Sequence, residues 1–449
     1  MESPQKISAP ESFRLTQRFF ILASIAIAGF ALSFPFAFLE PLVITYCLVL
    51  LATTIADFVL LFIQKPKLTA QRSMTKMLSL GDDNTIELHL TNESNLYLNL
   101  ELYDELPFQF QERNFKITTS LAAHESTSLH YIVRPLKRGE YDFGFLNAIT
   151  STRLGVVARR MQLAEPQMTP VYPSLIQMKK YELIAFAKIS TSDGIRRLRR
   201  VGHTYEFEKI KTYAQGDDIR SINWKATGRR NQLMVNQYED ERSQQIYCII
   251  DKSRVMHMPF NGLSLLDYAV NSSLVISNIA LKKYDKAGLI TFSHAIGSTL
   301  RAERSEHQLK KIMNALYHEK PQPYEANYDL MYQGIKNVIR SRSLLFLNTN
   351  FESTYAMERA LPVLQKINRL HLLVVIIFEN TELSTYATKQ PEYVSDIYAQ
   401  TIAQKLLNDK KQIVARLHKY GIQTILSKPE DLSINTVNKY LELKARGLI

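Results

Sequence analysis

The chain has 449 residues, of which 46% are hydrophobic and 22% are charged, and its formal net charge is +12. This length exceeds what one hydrophobic core usually supports, so two or three folding units are expected in a globular protein. The excess of positive charge favours acidic partners, such as anionic lipid headgroups, nucleic acid or an acidic protein. The two cysteines, Cys47 and Cys248, belong to no Cys/His cluster, which excludes a zinc motif or a disulfide framework.

Two apolar runs near the amino terminus predict a transmembrane hairpin. Phe19 to Leu39 and Leu42 to Ile63 each hold about 20 residues, enough to cross a hydrocarbon core of roughly 30 Å as helices. The pattern predicts a tail at 1–18, a hairpin at 19–64, and soluble domains that face the cytoplasm by the positive-inside rule. The basic residues behind this orientation flank the pair: Lys6, Arg14, Arg18, Lys65, Lys67, Arg72 and Lys76.

Asp57 is the one carboxylate inside the second apolar run. An acid within a membrane span is a candidate functional residue. It lies about seven residues, or roughly 10 Å of helix rise, from the cytoplasmic end of the run. Snorkelling, or a hydrogen bond to Ser24 on the facing helix, would explain Asp57 without a transport role.

After the hairpin, apolar and polar residues alternate with a period of two. Six or more short alternating strands in about 95 residues predict an antiparallel β-sandwich of immunoglobulin-like type at 68–162. This part of the sequence offers no catalytic pattern, so it indicates a spacer or interaction module.

A linker and basic segment is predicted at 163–212. It has three prolines between Glu165 and Pro173, and then four closely spaced arginines: Arg196, Arg197, Arg199 and Arg200. A basic cluster can bind lipid phosphate or nucleic acid, or it can pair with nearby acids such as Glu206 and Glu208. Because stacked aromatics and a nucleic-acid-binding fold are missing from the pattern, no nucleic acid is expected.

The segment at 213–245 combines many charges with the single tryptophan, Trp224. Gly216 permits a tight turn, and Asp217 or Asp218 after it fits a helix N-cap. Asp217 can pair with Arg220 three positions later. A buried helix face is predicted from apolar residues at helical spacing, namely Ile219, Ile222 and Ala226. Two interpretations stay open: a capped helix that Trp224 docks onto a sheet, or a surface that binds a partner.

This segment also resembles the core signature of the bacterial family known as domain of unknown function 58. The residues that carry the resemblance, in the family's order and spacing, are Gly216, Asp217, Arg220, Ile222, Trp224, Thr227, Arg229, Leu233, Val235, Tyr238 and Glu241. The resemblance implies a bacterial inner-membrane protein with a membrane hairpin, a β-rich module and a von Willebrand A-like domain. It also implies partners, namely a MoxR-type AAA+ ATPase and other membrane von Willebrand A-like proteins, in a chaperone-like system for envelope assembly or stress.

Strands and helices alternate over 246–449. Continuous apolar strands between amphipathic helices predict a doubly wound α/β sheet, mainly parallel, with an antiparallel edge strand at Ile296 to Leu300. Ligands of such sheets bind at the carboxyl ends of the strands. The first apolar strand ends at Asp251, which makes Asp251 the leading candidate for a site residue.

The resemblance implies a metal site that is degenerate in this chain. Many von Willebrand A domains hold Mg²⁺ or Mn²⁺ through Asp-x-Ser-x-Ser, a later threonine and a further aspartate. Asp251 and Ser253 keep the first two ligands, but Val255 replaces the second hydroxyl. Asn327 stands in the loop that should give the threonine, and Asn348 stands where the second aspartate is expected. Losing a carboxylate costs several kcal/mol of attraction for a dication, so we expect metal binding to be weak or lost.

Two classes of function remain. The favoured one is a membrane-anchored, non-catalytic scaffold or adaptor that docks a cytoplasmic protein. The alternative is a metal-assisted enzyme that acts on a membrane-associated substrate, with Asp329 restoring a ligand. The sequence carries no phosphate-binding glycine-rich loop or catalytic triad, and the first three of the histidines after Asp251 lack motif spacing: His257, His294 and His307. We therefore expect neither an enzyme activity nor a cofactor, and we expect the lipid bilayer to be a partner.

Overall fold

The computed structural model describes residues 13–113, 115–191, 206–214, 219–230, 232–239, 243–391 and 393–448. The chain divides into two compact units, 1–172 and 173–449. It is a mixed α/β protein with several separate sheets.

Two apolar helices open the first unit, α1 (Gln17–Ser33) and α2 (Glu40–Phe58). A π-helical turn prolongs α2, and the continuous helix Glu40–Ile63 is the one described helix long and apolar enough to cross a membrane, with a mean hydropathy of 2.3. The first predicted span is shorter than expected, because α1 ends just before Pro35 and has 17 residues. The described structure thus has one candidate span and one shorter apolar helix.

Asp57 does not behave as the sequence predicts. It is fully buried, and its carboxylate accepts hydrogen bonds from the Thr152 hydroxyl and from the backbone N–H groups of Val156 and Val157, at 2.9 and 2.8 Å. The predicted partner Ser24 instead donates to a carbonyl of its own helix. Asp57 is therefore bound to the β-rich part of its unit, and neither snorkelling nor a partner on α1 explains it.

Short strands make up the rest of the first unit: β1 (Phe13–Leu15), β2 (Leu68–Ser73), β3 (Leu78–Ser79), β4 (Asn84–Asn92), β5 (Leu98–Asp104), β6 (Ile117–Leu121), β7 (Ser126–Val133), β8 (Gly139–Phe143), β9 (Leu146–Ser151), β10 (Val157–Ala164) and β11 (Gln167–Tyr172). They form a five-stranded sheet of order β1-β10-β9-β5-β6 and two three-stranded sheets, β2-β4-β7 and β3-β11-β8. Every second residue of β4 faces the core, which is the predicted period of two.

The second unit holds the strands β12 (Glu206–Thr212), β13 (Met234–Glu239), β14 (Gln245–Asp251), β15 (Pro259–Phe260), β16 (Leu263–Ser264), β17 (Lys286–Phe292), β18 (Ile296–Glu303), β19 (Leu344–Asn348), β20 (Leu372–Phe378) and β21 (Gln423–Ser427). Its helices are α3 (Leu175–Thr191), α4 (Trp224–Arg230), α5 (Leu265–Lys282), α6 (Gln308–His318), α7 (Tyr328–Val338), α8 (Thr354–Leu370), α9 (Thr381–Thr388), α10 (Val394–Lys419) and α11 (Leu432–Ala445).

A six-stranded sheet organises this unit, in the order β18-β17-β14-β19-β20-β21. Neighbouring strands are parallel except that β18 runs antiparallel to β17, as the sequence predicts for this edge. Counted from β14, the order is 3-2-1-4-5-6, the order of doubly wound sheets. On one face, α7, α8 and α10 pack on β14, β19 and β20. On the other face lies α5, which begins with a capping box between Ser264 and Asp267.

In the stretch predicted to be a linker, 163–212, the described residues 163–191 and 206–212 are largely regular structure. The stretch contains the end of β10, all of β11, α3 and β12. The prolines suggest a linker, but Pro170 lies within the strand β11. On one side of β11, β3 pairs only with Val171 and Tyr172, so among the described residues the backbone around Pro170 is unpaired there. Proline is tolerated at such an edge. The helix α3 packs on α5, where Glu182 accepts a hydrogen bond from Asn278. The predicted arginine cluster lies outside the described residues.

Candidate functional site

Asp251 ends β14 at the point where the strand order reverses between β14 and β19. In open α/β sheets this is the usual place for a ligand site. The side chain is fully buried, and its Oδ1 accepts the Ser253 backbone N–H at 2.9 Å while its Oδ2 accepts the Thr349 hydroxyl at 2.7 Å. The Tyr328 hydroxyl lies 2.9 Å from Thr349 Oγ1. Burial raises the pKa of Asp251, and the hydrogen bonds from Ser253 and Thr349 oppose that shift.

The predicted metal ligands do not meet at one point. Asn348 pairs with Ile250 in the register of β14 and β19. Because side chains alternate between the faces of a sheet, Asn348 points away from the face that carries Asp251. Asn327 caps α7, where its Oδ1 accepts the Leu330 N–H at 3.1 Å. Thr349, which the sequence pattern did not single out, is the residue that lies beside Asp251.

A divalent cation does not fit this arrangement. Both oxygens of Asp251 already accept hydrogen bonds, and Asp329 is exposed on the first turn of α7. Over the described ranges, no group of three or more His, Cys, Asp or Glu could hold a metal ion. Ser253 Oγ and Asn348 Oδ1 are buried without a hydrogen-bond partner in those ranges, but the register directs Asn348 to the opposite face. Mg²⁺ needs near-octahedral oxygen ligands, and these residues do not supply them together.

A buried ion pair closes the neighbouring strand end. Lys252 Nζ lies 2.9 Å from Glu319, which also accepts the Thr291 hydroxyl at 2.8 Å. Although burial raises the pKa of Glu319, hydrogen bonds from Ser298, Lys252 and Thr291 lower it below its usual value. The chain after Glu319 runs along the strand end, since Gln322 donates its backbone N–H to the Lys252 carbonyl at 2.7 Å. These contacts make the strand end a sealed, internally paired cluster.

The family signature forms a separate two-stranded hairpin, β12 and β13, with α4 in the connection. The cap of α4 is Asn223, whose Oδ1 accepts the Ala226 N–H at 3.0 Å. The expected continuous helix from Ile219 is wrong, because Ile222 forms a β-bridge with Val235 and leaves Ile219–Ser221 as a 3-10 turn. Of the predicted signature residues, Gly216, Asp217 and Glu241 lie outside the described residues, as does Asp218, so the predicted cap by Asp217 or Asp218 and the Asp217–Arg220 pair stay predictions.

The apolar residues of this hairpin divide into two groups. Met234 and Val235 are buried, at 3% and 2% exposure. Trp224 is 71% exposed, together with Ile219 and Leu233. Arg220 and Arg229 also lie at the surface of the segment. The interpretation in which Trp224 docks a helix onto a sheet is therefore wrong, and the interpretation of a partner-binding surface stays a prediction.

A second exposed apolar face was missed by the sequence reasoning. The first half of α10 presents residues at helical spacing with 38% to 71% exposure, namely Val394, Ile397, Tyr398, Ile402 and Leu406. The same apolar stripe is buried in the second half of the helix through Ile413 and Leu417, and Ala403 is buried on an adjacent side. The signal was available in the sequence, because the apolar stripe of this 26-residue helix extends beyond the half that its own domain buries.

Comparison with known sequences finds a family match that includes the signature hairpin. Residues 209–385, from β12 into α9, match the family described as "Protein of unknown function DUF58". This part of the chain is similar to the DUF58 family, and the match covers less than half of the 449 residues. An uncharacterized protein, YeaD of Bacillus subtilis (strain 168), is 24% identical over 129 residues, which are 28% of this chain and 31% of that protein. The match thus spans about a third of that relative's length.

Solved structures give weaker similarities. The CARDB domain of the PF1109 protein from Pyrococcus furiosus matches at 18% identity and a TM-score of 0.17, over 24% of this chain and 93% of that one. Proximal thread matrix protein 1 from the mussel byssus matches at 12% identity and a TM-score of 0.26, over 45% of each chain. TM-scores of this size carry no argument, so the architecture rests on the observed strand order.

Proposed function

We propose that this protein is a membrane-anchored, non-catalytic scaffold that binds a protein partner through the signature hairpin. The observation that carries the proposal is the 71% exposure of Trp224. Tryptophan and arginine are enriched among the residues that dominate binding energy at protein interfaces. Here the exposed tryptophan lies four and five residues in sequence from the exposed Arg220 and Arg229, in a hairpin whose Met234 and Val235 are buried.

The proposed architecture is a two-helix hairpin in the bacterial inner membrane, an immunoglobulin-like β-sandwich and a von Willebrand A-like domain. The helix Glu40–Ile63 and the apolar α1 support the hairpin. Exposed Arg14, Arg18, Lys65 and Lys67 at its base support a cytoplasmic orientation by the positive-inside rule. The 3-2-1-4-5-6 order with an antiparallel β18 supports the von Willebrand A-like assignment.

The proposed partner is a MoxR-type AAA+ ATPase, acting together with other membrane von Willebrand A-like proteins. This part of the proposal comes from the family resemblance. The process it implies is a chaperone-like role in cell-envelope assembly or stress. The alternative, a metal-assisted enzyme, has less support, because Asp251 is sealed from solvent and the potential ligands diverge.

Capture from membranes tests the proposal. Wild-type protein and the Trp224→Ala variant are purified in mild detergent under identical conditions, and the co-purifying proteins are identified and quantified. Phe108→Ala is a matched control, because Phe108 is an exposed aromatic residue of the first unit. We expect an AAA+ ATPase to be captured by wild type and by the control but lost with Trp224→Ala. Equal capture by all three proteins would contradict the role of the hairpin.

A further inference from the structure

The base of the membrane helix is fixed to the β-rich part of the first unit. Asp57 receives three hydrogen bonds there, two of them from backbone N–H groups. Charge-assisted bonds of this kind are strong and directional. One turn later, Arg159 donates to the Leu61 carbonyl at 3.0 Å, and its guanidinium lies over the Phe62 ring, 5.4 Å from the centroid. We name this set of contacts around Asp57 the helix seat.

The helix seat shortens the length that is available to lipid. Removing Asp57 and Phe58 leaves 17 of the 19 residues of α2, and α1 also has 17. Seventeen residues rise about 25 Å, close to the thickness of a hydrocarbon core. The start of α1 lies next to the helix seat as well, because the N–H of Thr16, the residue before α1, donates to the Val156 carbonyl at 3.1 Å. Lipid headgroups would begin where Asp57 enters the β-rich part of the unit.

Three arginines surround the helix seat. Arg153 directly follows Thr152, which donates to Asp57. Arg14 pairs with Ala158 in the register of β1 and β10, one residue after the Val157 amide that also binds Asp57. Arg18 lies against Gly155, where an added Cβ would come within 3.0 Å of its Nη1. All three side chains are exposed, and the described part of the chain provides no salt bridge to any of them.

The loop between β9 and β10 adds an apolar residue to this group. Leu154 is 45% exposed, next to Arg153. The Arg153 guanidinium lies 5.6 Å from the centroid of the Tyr97 ring, an interaction that holds the cation in place. The surface thus consists of three guanidinium groups and one apolar tip around the base of the helix.

We propose that Arg14, Arg18 and Arg153 bind the phosphate groups of anionic lipids, with Leu154 inserted between the headgroups. This inference rests on the proposed membrane anchoring. Guanidinium groups bind phosphate through two parallel hydrogen bonds. Basic residues next to a membrane span also gain from the negative potential of the cytoplasmic leaflet. The helix seat would hold the β-rich part of the unit against the bilayer instead of letting it swing on a flexible joint.

The test uses the full chain in vesicles, with an environment-sensitive NBD label at Leu154→Cys and with Cys47→Ser and Cys248→Ala to remove other thiols. Vesicles of phosphatidylcholine alone are compared with vesicles that contain phosphatidylglycerol as well. We expect the emission to shift to the blue with phosphatidylglycerol and to revert in high salt. We also expect the shift to be lost in the triple variant Arg14→Gln, Arg18→Gln and Arg153→Gln.

The control is a second triple variant that also removes three positive charges but leaves the three seat arginines in place: Lys76→Gln, Arg113→Gln and Lys137→Gln. It should retain the blue shift. Identical emission in both kinds of vesicle, or an unchanged shift after loss of the three seat arginines, would overturn the lipid contact. Release of the chain by alkaline carbonate is a different failure, because it would overturn membrane anchoring itself.

Discussion

The strand end around Asp251 and the signature hairpin have similar compositions but differ in burial: the first is closed to solvent and the second is exposed. Both are rich in charged and polar side chains within one stretch of about 40 residues. Asp251 is 0% exposed and fully hydrogen bonded, whereas Trp224 is 71% exposed. Buried, paired groups define a structure, while an exposed tryptophan among arginines is available to a partner. The strand end therefore lies where open α/β sheets bind ligands, whereas the hairpin has the residue types that are enriched at protein interfaces.

The largest expected effect is the loss of stability on removing Asp251, which tests whether this residue has a structural role. Asp251→Ala leaves the Ser253 amide buried without its acceptor and removes the carboxylate that accepts the Thr349 hydroxyl. We expect it to lower the free energy of unfolding by about 3 kcal/mol, measured by urea titration of the detergent-solubilised protein. Asp329→Ala, which removes an exposed carboxylate on α7, is the control and should change stability by less than about 0.5 kcal/mol. Small and equal effects would show that Asp251 is not a structural residue.

A pH dependence sharpens the comparison. Lys410 on α10 donates to Asn350 and, at 2.6 Å, to the Phe351 carbonyl, both just after β19. Burial lowers its pKa to about 8, although Glu352 opposes the shift. An unfolded lysine titrates near pH 10.4. Between about pH 8 and 10 the unfolded chain therefore holds more protons than the folded chain, so stability rises with pH.

The Lys410→Met variant tests this rise. We expect the free energy of unfolding of wild type to gain about 2 kcal/mol relative to the variant between pH 8 and 10. Comparing the two proteins cancels the titration of other groups. Parallel profiles would mean that Lys410 titrates normally in the folded protein.

The smallest expected effect concerns metal ions. Because the potential ligands Asp251 and Asn348 lie on opposite faces of the sheet, Mg²⁺ or Mn²⁺ at about 5 mM should shift the melting temperature by less than about 1 °C. Calorimetric titration is the direct check. Micromolar binding that Asp251→Asn abolishes would restore the metal-assisted alternative.

Periodicity predicted much of the fold. The alternating strands and helices after residue 246, the antiparallel β18 and the position of Asp251 at a strand end all follow from apolar spacing. Register was not predictable, because a shift of one residue exchanges the faces of a strand. For that reason Thr349, and not Asn348, lies beside Asp251.

Long-range contacts and local competition explain the other differences. The acceptor role of Asp57 depends on Thr152, which is 95 positions away in sequence. The helix begins after Asn223 because Ile222 forms a β-bridge with Val235, and the helical spacing of apolar residues does not predict that bridge. Exposure of Trp224 could not be derived from composition, because large aromatic residues occur both in cores and at interfaces.

The affinity of the purified pair tests the central claim most directly. The full-length protein is immobilised in nanodiscs, and the dissociation constant of the captured ATPase is measured with and without a metal chelator. We expect Trp224→Ala to weaken binding by at least about 30-fold, while Asp251→Asn and the chelator leave it unchanged for folded protein. Unchanged affinity for Trp224→Ala, together with loss of binding for Asp251→Asn or in the chelator, would contradict the account.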